Sequence, residues 1–334
     1  MVNVRKNSDE KIDIVILWVD GNDPKWLAEK EKYSNVKGDT SKNRFREYDN
    51  LQYLFRGIER FAPWVNKVFL VTWGHLPKWL NTSNDKLIIV KHEDFIPHEY
   101  LPTFNSNVIE MNLHRINKLS EKFILFNDDL FILKKLKTED FFINNLPKDM
   151  YIEYTKRNCS NRHKIMRKNY MDVIDKYFKK SNFIKNNFFK VFNIKYGYSN
   201  LKTIFNLKNK TFCDFYSQHL TQPFLKSVFM TLWDKEYDRI NEACYNKFRA
   251  DNDLGTAICR YWQLLTGKFK PTKVIGKYFT MSNDNKKIIK AIVRRKYKII
   301  CINDSDSTIE FEKAKKEINN AFEKILNTKS EFEV

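Results

Sequence analysis

Apolar and polar positions along this chain fall into blocks whose period switches between that of strands and that of helices. Ile14 to Val19 is an unbroken apolar run, and residues 12–19 read as a first strand that ends abruptly in Asp20-Gly21-Asn22-Asp23-Pro24. Lys30 to Asn43 is polar and reads as a loop. Leu51, Leu54, Phe55, Ile58 and Phe61 recur at helical spacing, and Ala62-Pro63 stops that run before a second strand at Lys67 to Thr72. A third strand is expected at Leu87 to Val90 and a helix over Asn107 to Leu119. A fourth strand, Lys122 to Phe126, ends in Asn127-Asp128-Asp129. This is α/β alternation.

The pattern then changes. From Arg157 to Lys210 the chain is rich in Lys, Asn and Phe and reads as a mostly helical insertion. Helices are expected at Leu220 to Cys244 and Asn252 to Thr266, then a last strand at Lys296 to Ile302 that ends in Asn303-Asp304. Ser307 to Leu326 reads as an amphipathic helix with Ile309, Ala314, Ile318, Phe322 and Ile325 facing inward. The expected organisation is an α/β core made of residues 1–155 and 211–334, interrupted by a basic, Phe-rich helical insertion at 156–210.

Composition narrows the class. A chain of 334 residues can bury the core of one large domain or two smaller ones. With 27 Phe and 16 Tyr against 8 Gly and 8 Pro it should be compact and rather helical, and disorder is excluded as its overall state. The formal charge of +19 calls for an anionic partner, although lysine and asparagine enrichment also follows from biased coding DNA. Zinc-finger spacing, an RNP-like aromatic motif and a long basic block are all missing, so nucleic acid is set aside as partner. The Phe and Lys of the insertion fit an anionic membrane surface, and they fit equally a helical subdomain whose Phe residues pack on the core. Cys159, Cys213, Cys244, Cys259 and Cys301 are scattered and include no CxxC pair, as in the reduced thiols of a cytosolic protein. The first apolar run is too short and acid-terminated for a signal peptide, and no run of eighteen apolar residues occurs. The expected location is cytoplasmic, at most peripheral at the inner face of the cell membrane.

Strand ends carry the candidate chemistry. In open α/β sheets ligands bind beyond the carboxyl ends of the strands, so Asp20 and Asp23 stand either at a binding edge or in a surface turn. Asn127-Asp128-Asp129 and Asn303-Asp304 would converge with them if the strands share one sheet. Clustered carboxylates repel and call for a cation, and oxygen ligands without Cys or His suit Mg²⁺ or Mn²⁺. His219, in a polar stretch bounded by Pro223, could accept a hydroxyl proton, while a lone histidine is more often structural. Arg249 could stabilise phosphoryl charge or merely pair with Asp251 or Asp253. Arg44 and Arg46 could serve a diphosphate or be solvated loop charge. Asn105 and Ser106 stand at a helix start, where they could meet an anion or sugar hydroxyls or simply cap the helix. There is no Gly-rich phosphate loop, GxSxG elbow or Cys/His zinc pattern.

Taken together, these segments resemble the Stealth family, the hexose-1-phosphoryltransferases of bacterial capsule synthesis related to GlcNAc-1-phosphotransferase. IVILWVDGNDPKW resembles the family's first region, and RFREYDNLQYLF through KFILFNDDLF resembles the second. FYSQHLTQPFLKSVF, KFRADND and RYWQLLTGKF resemble the third, and KYKIICINDSD the fourth. The family's Trp-Val-Asp-Gly falls on Trp18 to Gly21, its Asn-Asp-Asp on Asn127 to Asp129, its His on His219, its Arg on Arg249 and its Asn-Asp on Asn303 and Asp304. One departure is Trp73-Gly74-His75, where members often carry Asn-Gly-Gln.

The resemblance implies a Rossmann-like, glycosyltransferase A-like nucleotide-sugar fold and transfer of a hexose-1-phosphate, N-acetylhexosamine-1-phosphate first among the candidates. A hydroxyl of a glycan or lipid-linked glycan would attack the β-phosphorus of a UDP-sugar and expel UMP. His219 or Asp129 is then the candidate base, Arg249 the phosphate stabiliser, and Asp129, Asn303 and Asp304 the candidate metal ligands. Donor binding falls to Trp18, Asp20, Gly21, Arg44, Asn105, Ser106 and Asn127. The alternatives are a metal-dependent glycosyltransferase that releases UDP, and a non-enzymatic basic module that binds anionic glycan or nucleic acid.

Overall fold

The computed structural model describes residues 11–33, 35, 46–155, 160–273, 275–304 and 310–334. Strand β1 (Ile12–Leu17) runs through the centre of a five-stranded sheet and is buried almost throughout. Helix α1 (Pro24–Glu31) follows at once: Asp23 caps it by accepting from Trp26 N at 2.8 Å, and Pro24 needs no donor there. The capping role of Asp23 is therefore the turn reading, not the binding-edge one. Helix α2 (Leu51–Phe61) buries Leu51, Leu54, Phe55 and Ile58 along one face. Strands β2 (Val68–Thr72) and β3 (Leu87–Lys91) extend the sheet on one side.

Helix α3 (Ser106–Asn112) ends before the expected Leu119, because the chain tightens into a 3₁₀ turn at Leu113–Arg115. Strand β4 (Lys122–Asn127) returns beside β1. β1 pairs in parallel with both β2 and β4, and its last residue, Leu17, stands level with Val71 and Asn127. Parallel strands covered on both faces need near-continuous apolar runs, which VFLVT and KFILFN supply. The level register brings the chain leaving β1 and the chain leaving β4 to one edge.

Strand β5 (Leu130–Ile132) starts directly after Asp129 and leaves the main sheet. Strands β6 (Phe142–Ile143) and β7 (Leu146–Asp149) form a short hairpin, and β8 (Glu153–Tyr154) follows. Helices α4 (Asn161–Tyr177), α5 (Lys180–Asn186), α6 (Phe188–Val191) and α7 (Asn200–Asn206) come next, and β9 (Asp214–Phe215) closes the excursion by pairing antiparallel with β8. The buried Lys180 Nζ binds Glu153 Oε1 at 2.8 Å and fastens α5 to that base.

A single helix was expected from Leu220 to Cys244. Instead β10 (Gln222–Leu225) adds an antiparallel edge to β4, followed by α8 (Lys226–Lys235) and α9 (Tyr237–Cys244). Pro223 is tolerated because the strand lies at the sheet edge, and Gln263 takes its carbonyl and the Leu225 N–H. Helix α10 (Thr256–Leu265) leads to β11 (Lys270–Pro271), β12 (Gly276–Thr280), α11 (Lys286–Val293), β13 (Ile299–Asn303) and α12 (Phe311–Glu323).

β13 does not join the main sheet, contrary to the condition on which the acidic clusters were expected to meet. It pairs in parallel with β12 and antiparallel with β5. The clusters meet all the same, because Ile302 N donates to Asp129 O at 2.9 Å and holds the end of β13 against the turn between β4 and β5. The fold class is α/β with a Rossmann-like parallel sheet. Among the described residues no helix is long and apolar enough to cross a membrane.

Candidate active site

Beyond the carboxyl ends of β1 and β4 the structure opens a cleft of about 810 Å³. Its floor is the turn Asn127-Asp128-Asp129 together with Asn303 and Asp304, and one wall is α3 with the loop before α10. Asp129 is the hub. Its Oδ2 accepts from the Cys301 thiol at 3.1 Å and lies 3.6 Å from His219 Nε2, whereas its Oδ1 is buried with no partner among the described residues.

Charges on this floor oppose one another. Burial and the neighbouring carboxylates of Asp129 and Glu47 push the Asp128 carboxyl up to about 8. Glu47 is raised by burial as well, although Trp18 Nε1 donates to it at 3.1 Å. Asp304 is held by Arg46 at 3.1 Å, and the Tyr48 hydroxyl is pushed well above its ordinary range by burial and by Asp304, Asp128 and Asp129. The His219 imidazole is raised too, by the Asp129 carboxylate 3.6 Å from its Nε2, a shift that favours its charged form where the same direction pushes the acids towards neutral. Its side chain keeps 54% of its surface exposed, and its backbone takes the left-handed conformation, φ 49°. Tyr278 bridges this corner, edge-on to the His219 ring at 6.0 Å and accepting from Asn303 Nδ2 at 3.0 Å.

The opposite wall positions Arg249. Its Nη2 donates to Ser106 Oγ at 2.7 Å, and beneath it the buried Asp253 organises the loop. The Asp253 carboxylate accepts from the amides of Asn105, Asn107 and Asn246 and from Ala250 N. Asn105 also caps α3 by accepting from Asn107 N. Its side chain is thus committed to the loop and fully buried. Gly255 is required by closeness, since a Cβ there would come within 2.5 Å of Asn107 Oδ1.

Of the residues singled out from the sequence, Trp18, Ser106, Asn127, Asp129, His219, Arg249, Asn303 and Asp304 line this one cleft. Asp20 and Gly21 are not part of its lining. Asp20 N donates to His75 Nε2 at 2.7 Å and Asp20 Oδ1 accepts from Asn22 N, so this turn is braced by the residue at which the chain departs from the family pattern. Arg44 lies outside the described residues.

The sequence assigns no role to Glu110 or Cys301, and marks Asp128 only as a member of the Asn127 to Asp129 cluster. Glu110 lines the cleft, is raised by burial, and accepts from Thr256 Oγ1 at 2.8 Å with Arg249 and His219 pulling it down. The signal for it was spacing, as it stands one helical turn after Ser106. Cys301 is two residues before Asn303 and so shares its strand face.

The expectation of a metal site without Cys or His is corrected in part: Asp129, His219 and Cys301 offer ligand atoms within 4.8 Å of one another. Cys301 is nonetheless a poor ligand. Burial and Asp129 push its thiol far above the ordinary range, so it stays protonated and donates. A hard divalent cation fits what remains, because the orphaned Asp129 Oδ1 and the repelling Asp128 would both be relieved by one.

Residues 10–37 match Stealth protein conserved region 1, and residues 44–149 match conserved region 2. The chain is 45% identical to the capsular polysaccharide phosphotransferase WcwK of Streptococcus pneumoniae over 97% of its own length and 98% of that protein's. The chain belongs to the Stealth family. It is also 38% identical to the exopolysaccharide phosphotransferase cps2G of Lactiplantibacillus plantarum, over 96% of each chain. With the receptor polysaccharide phosphotransferase WefC of Streptococcus gordonii the identity is 35% over 97% of this chain and 99% of that protein. The similarity to Stealth phosphotransferases therefore runs over nearly the whole chain, residues 156–210 and the β13 cluster included. Among solved structures, the galactosyltransferase LgtC in complex with donor and acceptor sugar analogues is similar at a TM-score of 0.38 and 8% identity. That alignment covers 92% of this chain and 95% of LgtC, and the likeness is too distant to bear on the site.

Proposed function

We propose that this enzyme moves a hexose-1-phosphate, with N-acetylhexosamine-1-phosphate as first candidate, from a UDP-sugar to a hydroxyl of a glycan or lipid-linked glycan. UMP leaves, and the product joins a capsular or other cell-surface polysaccharide. The cytoplasm, where nucleotide sugars are made, is the location this chemistry requires.

One observation carries the reading: the two oxygens of Asp129 face different tasks, Oδ2 towards His219 and Oδ1 unpartnered in a floor of carboxylates, with Arg249 across the cleft. Phosphoryl transfer depends on positioning and charge neutralisation more than on a covalent nucleophile. His219 takes the acceptor hydroxyl proton at Nδ1, the ring nitrogen that does not face Asp129, and Asp129 Oδ2 beside Nε2 stabilises the imidazolium that results. Arg249, oriented by Ser106, meets the equatorial oxygens of the transferring phosphoryl group. Asp129, with Asn303 and Asp304 beside it, would hold a Mg²⁺ or Mn²⁺ ion, which would supply neutralisation of the diphosphate charge. Trp18, Ser106 and Asn127 line the donor's side. Asp20 and Gly21 shape the turn through His75, and Asn105 acts through Asp253 on the Arg249 loop. Arg44 stays a candidate for the diphosphate from sequence alone.

The test is product analysis. A panel of UDP-sugars with Mg²⁺ and a glycan acceptor should yield UMP and a phosphodiester that retains the donor's anomeric bond. Release of UDP with a phosphorus-free linkage would overturn the reading in favour of an ordinary glycosyltransferase.

A further inference from the structure

Helix α7 is amphipathic the wrong way round for a helix of a globular core. It buries Thr203, whose hydroxyl accepts from Glu153 N at 3.1 Å, and turns Leu201, Ile204 and Phe205 outward at i, i+3 and i+4 spacing. The segment before it does the same. Phe189, Ile194 and Tyr198 are 82%, 92% and 93% exposed, and Phe205 is 72% exposed.

The exposure is not a failure of packing. Phe183, Val191, Tyr196 and Phe212 of the same stretch are buried, and the amide of Asn200 ties the protruding turn by donating to Asn193 O and Gly197 O. Tyr198 follows Gly197, whose φ of 53° is a conformation other residues resist. So many exposed apolar side chains on a fastened segment mark a binding face.

Charge identifies the occupant. From Lys176 to Cys213 the chain carries nine lysines and not one Asp or Glu. Lys179, Lys185, Lys208 and Lys210 are exposed around the apolar residues. Exposed aromatic and aliphatic side chains on a stretch whose charged residues are all lysine match the interface of a bilayer with anionic headgroups, where rings enter the acyl boundary and ammonium groups meet phosphate.

We infer that the α6–α7 face docks this enzyme on an anionic lipid surface. The first helix of the same excursion, α4, lines the active cleft through His163, Met166 and Tyr170. Docking therefore fixes the cleft relative to the bilayer and suits an acceptor carried on lipid. The docking inference itself stands apart from the reaction chemistry.

Flotation of the full chain with vesicles tests it. Binding should be strong to vesicles of phosphatidylcholine with phosphatidylglycerol, weak to phosphatidylcholine alone, and reversed by salt. Phe189→Ser with Phe205→Ser should lower binding about tenfold, and Lys185→Glu about fivefold, while the urea midpoint of each variant stays at the wild-type value. Equal binding by wild type and variants, or no binding to anionic vesicles, would overturn the inference. So would self-association in the absence of lipid that the Phe variants abolish, since the face would then be an interface between copies of the chain. Because flotation does not depend on turnover, this outcome and the UMP assay can fail separately.

Discussion

At the scale of single residues the site works through shared oxygens, and that has a consequence for mutants. If His219 and Asp129 serve one proton transfer, as proposed, His219→Ala and Asp129→Asn should each lower turnover by about 10²–10⁴-fold, and the double variant should be little worse than the poorer single one. Single-turnover rates for the three variants would show it; independent, multiplicative losses would separate the two residues. Arg249→Lys should lose nearly as much as Arg249→Ala, about 10²-fold or more, because the lysine cannot hold Ser106 Oγ and a phosphoryl oxygen in one fork. A variant Lys enzyme close to wild type would reduce Arg249 to a point charge. The lining of the cleft was partly legible in the sequence. Asp129 and His219 stood out because acidic strand ends and a neutral-range base have few reasons to occur where they do. Glu110 and Cys301 did not, since a glutamate on a helix and a cysteine in an apolar strand are ordinary until the fold turns them inward.

Elements, rather than residues, decide which loops face each other. Besides the Arg249–Ser106 bond, the Arg249 loop is held to the start of α3 by the buried carboxylate of Asp253, which no sequence pattern distinguished from a surface ion pair. Asp253→Ala strands several buried donors at once. It should cost about 2–4 kcal/mol in urea unfolding and should lower turnover through Arg249 with donor affinity less affected. Unchanged stability would show that water replaces the carboxylate. β10 was misread as helix because Gln-Pro-Phe-Leu lacks alternation, and only its place at the sheet edge makes Pro223 acceptable. The convergence of Asn303 with Asp129 was expected for a different reason than the one found. Local runs reveal that strands exist, but not that β5 leaves the main sheet and carries β13 to the same edge, which depends on contacts far apart in sequence.

Across the whole molecule, buried groups set against each other shape the response to acid. His92 is fully buried, and desolvation together with His75 pushes it down to about 3. Burial and then Arg115 push His114 down to about 4. Both stay neutral when folded and gain a proton near 6.5 when unfolded, so the unfolded chain binds more protons below that pH. Each histidine therefore removes stability as pH falls from 6.5 towards its folded value, at about 1.4 kcal/mol per unit once the window is fully entered. Asp128 works in the opposite sense. Its carboxyl, raised to about 8 from 3.8, binds its proton in the folded state first, so acidification between those values favours folding. Between pH 6.5 and 4 the active-site acid offsets part of what the histidines lose. His114→Gln should flatten the decline of the urea midpoint with acid, whereas Asp128→Asn should steepen it and stabilise the protein at pH 7. The same Asp128→Asn change should make stability at pH 7 less sensitive to added Mg²⁺, because a cation that relieves the carboxylate binds only the folded form. Parallel midpoint-against-pH curves for wild type and both variants would show that neither group titrates across this window in the folded enzyme. Divergence in the stated directions would tie acid tolerance to the same carboxylate that strains the catalytic floor.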